Sequence, residues 1–515
     1  MTRVVLMQCE LEHRHQSPHL AMCLYARDLR RAGHQVSCAL VHPSHLDQAA
    51  DHFQDCCDLL VLDSIFPFAL VSRLKESVNA IVLVGGHNAL QHALRGDADL
   101  TLVGPGRAAL NALAEAFARG TALQGLPGTW FRNREGQIDC GPPLPRARLN
   151  QELLPFEPDL DWLYFGPARA PGSNLRIPSI VAEFGCVYNR STLKDQGLYR
   201  NTRPRLPDLP LTERAALLLS EQFISREGGC TFCSLRYSPH VAAANSVELL
   251  LTQARYLLGC GARGLSLQTE HPLALLHEFL EGLAAEPTLA SACDELHIRT
   301  IPWLLLRHRK QLERAIEQCA GLGIHLHLGQ VGFEAFDDHG LELFHKGLEA
   351  TENRRAARLL GELSARYSEH FEGRRGHGLI LLHPWSSPAS LRENLDAIAA
   401  DASWMLASIR PDSRVEFYGE WTPLFWKATD EGLTVAAPGR FGWDFRFADA
   451  ECAEVVAVWS SILAGLPAGD SLLSSRVLDH TLRCYEQHPD PMARRLAYLE
   501  VREQLTGQLQ PEARD

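Results

Sequence analysis

The chain has 515 residues, 46% of them hydrophobic and 22% charged, which is the make-up of a globular protein too long for one ordinary core. Its formal charge of −12 argues against a broad phosphate-binding surface, so a small molecule or a peptide, and not nucleic acid, is the expected partner. No apolar run approaches the ~18 residues needed to cross a bilayer, and Arg3, Glu10, Glu12 and Arg14 interrupt the start where a secretory signal needs an apolar core.

The chain therefore reads as cytoplasmic, away from membranes, with its fourteen cysteines mostly reduced. From Val4 to Val103, short apolar runs (Val4–Met7, Val36–Val41, Leu59–Leu62, Ile81–Val84, Leu100–Val103) alternate with helical stretches such as Leu20 to Ala32. This alternation predicts a doubly wound, Rossmann-like parallel sheet over residues 1–141, whose ligands would sit beyond the carboxyl ends of the strands. Two such ends carry Gly85-Gly86-His87-Asn88 and Gly104-Pro105-Gly106-Arg107. There a backbone without side chains can lie against a flat ligand, although paired glycines also make simple turns. His13, His15 and His19 fall in the first strand-end loop, where a solvated polar loop is the plainer reading.

Residues 142–178 hold eight prolines, among them Pro155, Pro158 and Pro167, and read as a linker. A second alternating series follows: Ile180–Phe184, Gly264–Leu267, Glu295–Ile301, Ile324–Val331, Leu379–Leu382 and Val415–Tyr418, separated by helical stretches. Six β/α units predict a partial barrel over 179–420, with chemistry at the carboxyl ends of its strands. Residues 421–515 form a mixed, mainly helical tail containing Trp421, Trp426, Trp443 and Trp459, aromatics that more often belong to a core than to a cofactor cage.

Cys186 lies two residues past the first barrel strand, and after forty-three residues the pair Cys230-Thr231-Phe232-Cys233 follows. Three thiolates can hold a four-iron, four-sulfur cluster and leave one iron open to a chelating substrate. The pair can equally be a redox couple or half a zinc site beside a buried Cys186. The intervening segment 187–229, with Lys194, Arg200, Arg203, Arg205 and three prolines, is too long for a tight turn, and loops of that length inside a domain are commonly functional or disordered.

Several segments in order resemble the cobalamin-binding radical S-adenosylmethionine (SAM) enzymes over roughly residues 1–420: Val82-Leu83-Val84-Gly85-Gly86, Ala98 to Gly104, Gly125-Leu126-Pro127-Gly128, Val331-Gly332-Phe333-Glu334 and Phe344-His345-Lys346-Gly347. The resemblance implies that Cys186, Cys230 and Cys233 hold a [4Fe-4S] cluster, although the family's first two cysteines stand only three residues apart. It further implies that Phe232 packs near the adenine of SAM and that Gln268, Thr269 and Glu270 meet its amino group, Glu270 being otherwise a helix N-terminal carboxylate. Glu334 would contact the polar end of SAM. Leu382-His383-Pro384-Trp385 departs from the family's glycine-proline-glycine turn. No Asp-x-His-x-x-Gly pattern occurs, so cobalamin would lie on Gly85, Gly86, His87, Asn88 and Gly104 without a protein histidine on cobalt.

The implied reaction starts from a 5′-deoxyadenosyl radical that takes hydrogen from an unactivated carbon of a small molecule or peptide, which cobalamin then methylates. An electron donor such as flavodoxin or ferredoxin is the implied partner. A radical cyclase or rearrangement enzyme without methyl transfer, and a cluster-less binding protein that assists a partner enzyme, remain open, and no catalytic side chain is named.

Overall fold

A computed structural model describes the chain apart from residues 11–18, 65, 87–88, 105, 145–151, 168–176, 186–187, 189–196, 200, 203–208, 222–227, 234–240, 270, 418–419, 421, 438–441, 467–470 and 509–515. Cys186, His87, Asn88, Glu270, His13 and His15 thus lie outside the described residues.

Apolar runs that alternate with amphipathic helices must be covered on both faces, and the first sheet meets that demand. Its strands are β1 Arg3–Cys9, β2 Gln35–Val41, β3 Leu59–Asp63, β4 Ile81–Gly85, β5 Leu100–Leu102, β6 Thr129–Arg132, β7 Ile138–Cys140 and β8 Leu163–Phe165, in the order β7-β6-β5-β4-β3-β1-β2-β8. β1 to β5 and β8 are parallel; β6 and β7 run antiparallel at one edge. Helices α1 Leu20–Arg31 and α5 Arg107–Ala118 bury Leu29, Leu110 and Leu113 against one face, while α2 Leu46–Phe53 and α3 Phe68–Ser77 bury Phe53, Val71 and Leu74 against the other. The chain leaves β1 for β2 on one side and returns to β3 on the other, which opens a crevice beyond their carboxyl ends. The proline-dense stretch read as a linker supplies β8, whose Leu163, Tyr164 and Phe165 register with Ala39, Leu40 and Val41 of β2.

The second sheet has its strands in the order β15-β14-β13-β12-β9: β9 Ser179–Ile180, β12 Gly264–Leu267, β13 Glu295–Thr300, β14 His325–Glu334 and β15 Phe371–Glu372, all parallel, with β16 Gly378–Leu379 also on β14. The expected first barrel strand is divided, because β10 Glu183–Phe184 leaves this sheet and pairs antiparallel with β11 Val241–Ala242. The expected last strand, Val415–Tyr418, is reduced among the described residues to a bridge between Arg414 and Leu382. Pro384 has no N–H with which to extend it.

Helices Ser246–Gly259, Pro272–Ala284, Arg309–Leu322, Ala350–Arg366 and Pro388–Asp401 cover the outer face. The tail adds, among the described residues, a hairpin, Thr434–Ala436 with Trp443–Phe445, and four helices; its Trp426 and Trp459 are buried in the core. That core also takes in Leu90 and Leu94 of helix α4 Ala89–Arg95, Trp130 of β6 and Ile138 of β7, so this edge of the first sheet packs into the barrel's apolar interior while the rest of the sheet keeps its own two layers. Among the described residues no helix is long and apolar enough to cross a membrane.

Candidate active site

Of the described cysteines, most are sealed in apolar surroundings, and burial pushes the thiols of Cys293, Cys319 and Cys452 up to about 12. Cys230 and Cys233 are only partly buried and stand on a turn closed by the Cys233 N–H donating to the Cys230 carbonyl. Thr231 between them anchors the turn: its N–H donates to Phe344 O at 3.1 Å, its hydroxyl to Leu343 O at 2.7 Å, and its own carbonyl accepts from Leu424 N. The pair is thereby fixed to the Leu343–Gly347 turn, just beyond the carboxyl end of β14.

That turn brings a charged group to the cysteines. Lys346 Nζ lies 3.2 Å from Glu334 Oε1, with both side chains largely buried. Burial alone would lower the Lys346 ammonium, but the thiolates of Cys230 and Cys233 and the Glu334 carboxylate outweigh it and hold its pKa above the ordinary value. Glu334 and His345 have φ of +63° and +53°, backbone positions costly for residues with a Cβ and commonest at functional sites. Gly332 makes the room: a Cβ there would come within 2.8 Å of Glu334 Oε1. Phe232 meets Phe344 edge to face at 5.2 Å between centroids.

The forty-three-residue gap is bridged by local pairing. Phe184 pairs with Val241 antiparallel, so the chain running on toward Cys186 and the chain arriving at β11 from Cys233 lie at the same end of one ladder. Tyr188 stacks at a tilt near His345, with centroids 6.2 Å apart, while the His345 Nδ1 meets Gly229 O at 3.0 Å. The two ends of the inserted segment thus converge on one imidazole. Tyr199 of the segment is buried and donates its hydroxyl to Leu343 O at 2.6 Å. Farther on, Ile138 N donates to Pro210 O and Thr212 N to Ile138 O, and Asp139 accepts from both Thr212 and Arg214. Helix Glu213–Leu219 buries Ala215 and Leu219. The described parts of the segment run from the Leu343 turn to the β7 edge of the first sheet.

At the end of β12 the Gln268 amide donates back to Ser266 Oγ at 2.8 Å. Thr269 beside it, and Thr300 at the end of β13, bury hydroxyl oxygens that have no hydrogen-bond partner among the described residues. A buried polar atom left so is open to a water, an ion or a ligand. In the departing segment, His383 is buried under Phe344, and its Nδ1 accepts from Trp385 N.

In the first sheet, Gly85 ends β4 and faces open space, while Gly86 has φ +118° and a Cβ there would stand 2.6 Å from Ser64 Oγ. Gly104 follows β5 with φ +111°. Asp63 and Ser64, at the end of β3 in the switch-point crevice, and Glu10, bonded by Tyr164 at the end of β1, were not singled out from sequence. Their only signal there is that each follows an apolar strand run. Lys346, Thr300 and Tyr199 were likewise missed as site residues.

The sequence matches no protein-family profile and no curated protein. Solved structures do match. The cobalamin-dependent S-adenosylmethionine radical enzyme OxsB, with aqua-cobalamin bound, superposes with a TM-score of 0.60 at 14% identity over 98% of this chain and 75% of that one. With both aqua-cobalamin and S-adenosylmethionine bound, its TM-score is 0.58. The radical S-adenosylmethionine methyltransferase TsrM from Kitasatospora setae aligns over 78% of this chain and 71% of its own, at 15% identity and a TM-score of 0.49. The chain therefore has the mixed α/β fold of OxsB along nearly its whole length, and its structural neighbours are cobalamin-dependent radical SAM enzymes.

Proposed function

We propose that this protein is a cobalamin-dependent radical SAM enzyme that methylates an unactivated carbon of a small molecule or peptide. The observation that carries the reading is the meeting of Tyr188 and Gly229 on His345, because it draws together the segments bearing Cys186 and Cys230 despite the long insertion.

Cys186, Cys230 and Cys233 would hold a [4Fe-4S] cluster. The residues fit that role: the described pair is partly exposed beside an ammonium, and thiolates beside a cation are the deprotonated form a metal needs. SAM would lie over the strand ends, with Phe232 against its adenine and Gln268, Thr269, Glu270, Thr300 and Glu334 at its polar groups; the unsatisfied hydroxyls of Thr269 and Thr300 fit a polar ligand. Cobalamin would lie on Gly85, Gly86, His87, Asn88 and Gly104, with the open space at Gly85 as the observation in its favour. Bound there, the three groups supply one-electron cleavage of SAM and a transferable methyl group.

The protein's own part is positional. Lys346 holds the Glu334 carboxylate and offsets thiolate charge, the Leu343–Gly347 turn fixes the cysteine loop, and segment 187–229, docked on that turn through Tyr199, would keep water from the mouth of the barrel. An electron donor such as flavodoxin or ferredoxin would deliver the reducing electron.

The test is anaerobic reconstitution of the full chain with iron, sulfide and hydroxocobalamin. Reduced protein should release 5′-deoxyadenosine from SAM, and Cys230→Ala and Cys233→Ala should each abolish it. A wild-type protein that binds no iron, or cysteine variants that still cleave SAM, would overturn the assignment. A deuterated SAM methyl group then separates methylation, which shifts product mass, from a cyclisation or rearrangement, which does not.

A further inference from the structure

Alternation along β13 and β14 divides their residues cleanly between two faces. Leu296, Ile298, Leu326 and Leu328 enter the core under the outer helices. The opposite, concave face carries Glu295 and His297 on β13 and His325 and His327 on β14. Register places these in rows: Glu295 beside His325, then Ser266, His297, His327 and Glu372 across four strands. Imidazoles and carboxylates are a costly choice for neighbouring positions on a barrel interior, where a chain folding for stability alone would use aliphatic layers.

Their polar atoms converge. His297 Nε2 lies 3.0 Å and His327 Nε2 3.5 Å from the same oxygen, Glu295 Oε2, and the two rings stack at 4.4 Å between centroids with 13° between their planes. His325 Nδ1 stands 3.0 Å from that same His327 Nε2. Two hydrogen bonds, His297 Nε2–H to Glu295 Oε2 and one between His325 Nδ1 and His327 Nε2, hold these donor atoms side by side. Around an ion with bonds of ~2.0–2.1 Å, tetrahedral donors stand about 3.3–3.4 Å apart. The observed separations fall on either side of that spacing.

We propose that Glu295, His297 and His327, with His325 as the adjoining fourth donor, form a binding site for a divalent transition-metal ion of the zinc type. Two or three imidazoles with one carboxylate select zinc or a neighbouring first-row ion over magnesium or calcium, which prefer oxygen donors. The site is separate from the cysteine turn: Glu334 lies seven residue steps along β14 from His327, roughly 23 Å at ~3.3 Å per residue. Its place at the amino ends of β13 and β14 gives the ion a structural task, tying two neighbouring strands together. Side-chain exposures of 18% for Glu295, 26% for His297 and 27% for His327 leave a path for the ion.

The probe is Co²⁺ added to the full chain after chelator treatment, in the wild type and in a Cys230→Ser/Cys233→Ser variant that removes thiolate competition. The Cys230→Ser/Cys233→Ser protein should bind one equivalent with ligand-field bands of nitrogen and oxygen donors and no sulfur-to-cobalt charge transfer, the wild type should show the same bands besides any from its thiolates, and Zn²⁺ should displace the cobalt. His297→Gln/His327→Gln should weaken binding about 100-fold or more, and Zn²⁺ should raise the wild-type Tm but not that of this variant. Thiolate bands alone, no bound cobalt, or unchanged affinity in the histidine variant would each overturn the proposal. Should that variant fail to fold, the cobalt spectrum of the Cys230→Ser/Cys233→Ser protein decides by itself.

Discussion

Among single residues, Lys346 has the most to lose. Its ammonium is buried against Glu334 and the cysteine turn, so Lys346→Met leaves a carboxylate without its partner in a poorly solvated place. Breaking such a pair from one side costs about 3–5 kcal/mol. Chemical denaturation should show a loss at the low end of that range, and Lys346→Met/Glu334→Gln should recover part of it; equal losses for single and double variants would mean the pair is not coupled. His383 reports the opposite logic. Burial, with His339 nearby, lowers its pKa to about 3, so between pH 6.5 and 3 the unfolded chain binds a proton that the folded chain refuses. Stability then falls with acid, by up to about 1.4 kcal/mol per pH unit over that window. His383→Leu should flatten the pH dependence of Tm below pH 6, and an unchanged slope would assign the acid sensitivity elsewhere.

At the scale of elements, the inserted segment is docked at two places, the Leu343 turn through Tyr199 and the β7 edge through Pro210, Thr212 and Arg214. Asp139→Ala removes the acceptor for two of these contacts, worth about 1 kcal/mol each. Limited proteolysis should then cut within 187–229 faster than in the wild type, while global Tm moves little. Replacing residues 192–224 by a short flexible linker should keep the cluster spectrum, lower the Tm and abolish turnover; retained turnover would move substrate recognition to the tail.

β1 to β4 were legible because each holds a run of four apolar residues, a pattern that burial on both faces forces, whereas the antiparallel edge of β6 and β7 carries no such run. β8 was not, since Leu163-Tyr164-Phe165 is short and sits among prolines, and only the exposed edge of β2 gives it a partner. The cysteine pair and Glu334 could be singled out by spacing and resemblance. Lys346 could not be assigned, because its importance comes from a positive-φ turn that folds it back twelve residues onto Glu334, and nothing local in the sequence encodes that return.

At the scale of the whole molecule, the first sheet's proposed ligand can be tested through its backbone. Gly86→Leu would force a side chain into Ser64 at φ +118°, so hydroxocobalamin, expected to bind the wild type one to one, should bind at least about tenfold more weakly, with circular dichroism confirming the fold. Equal affinity would exclude this strand end. The shared apolar interior carries a further consequence. Lobes joined by a polar seam swing about a hinge, whereas Leu90, Leu94, Trp130 and Ile138 are packed into the same interior as the barrel's own leucines. Calorimetry should accordingly record one transition, not two. Parting the two lobes would expose those side chains to water, so the gap between the two proposed reactive centres is expected to be set once, as the chain folds.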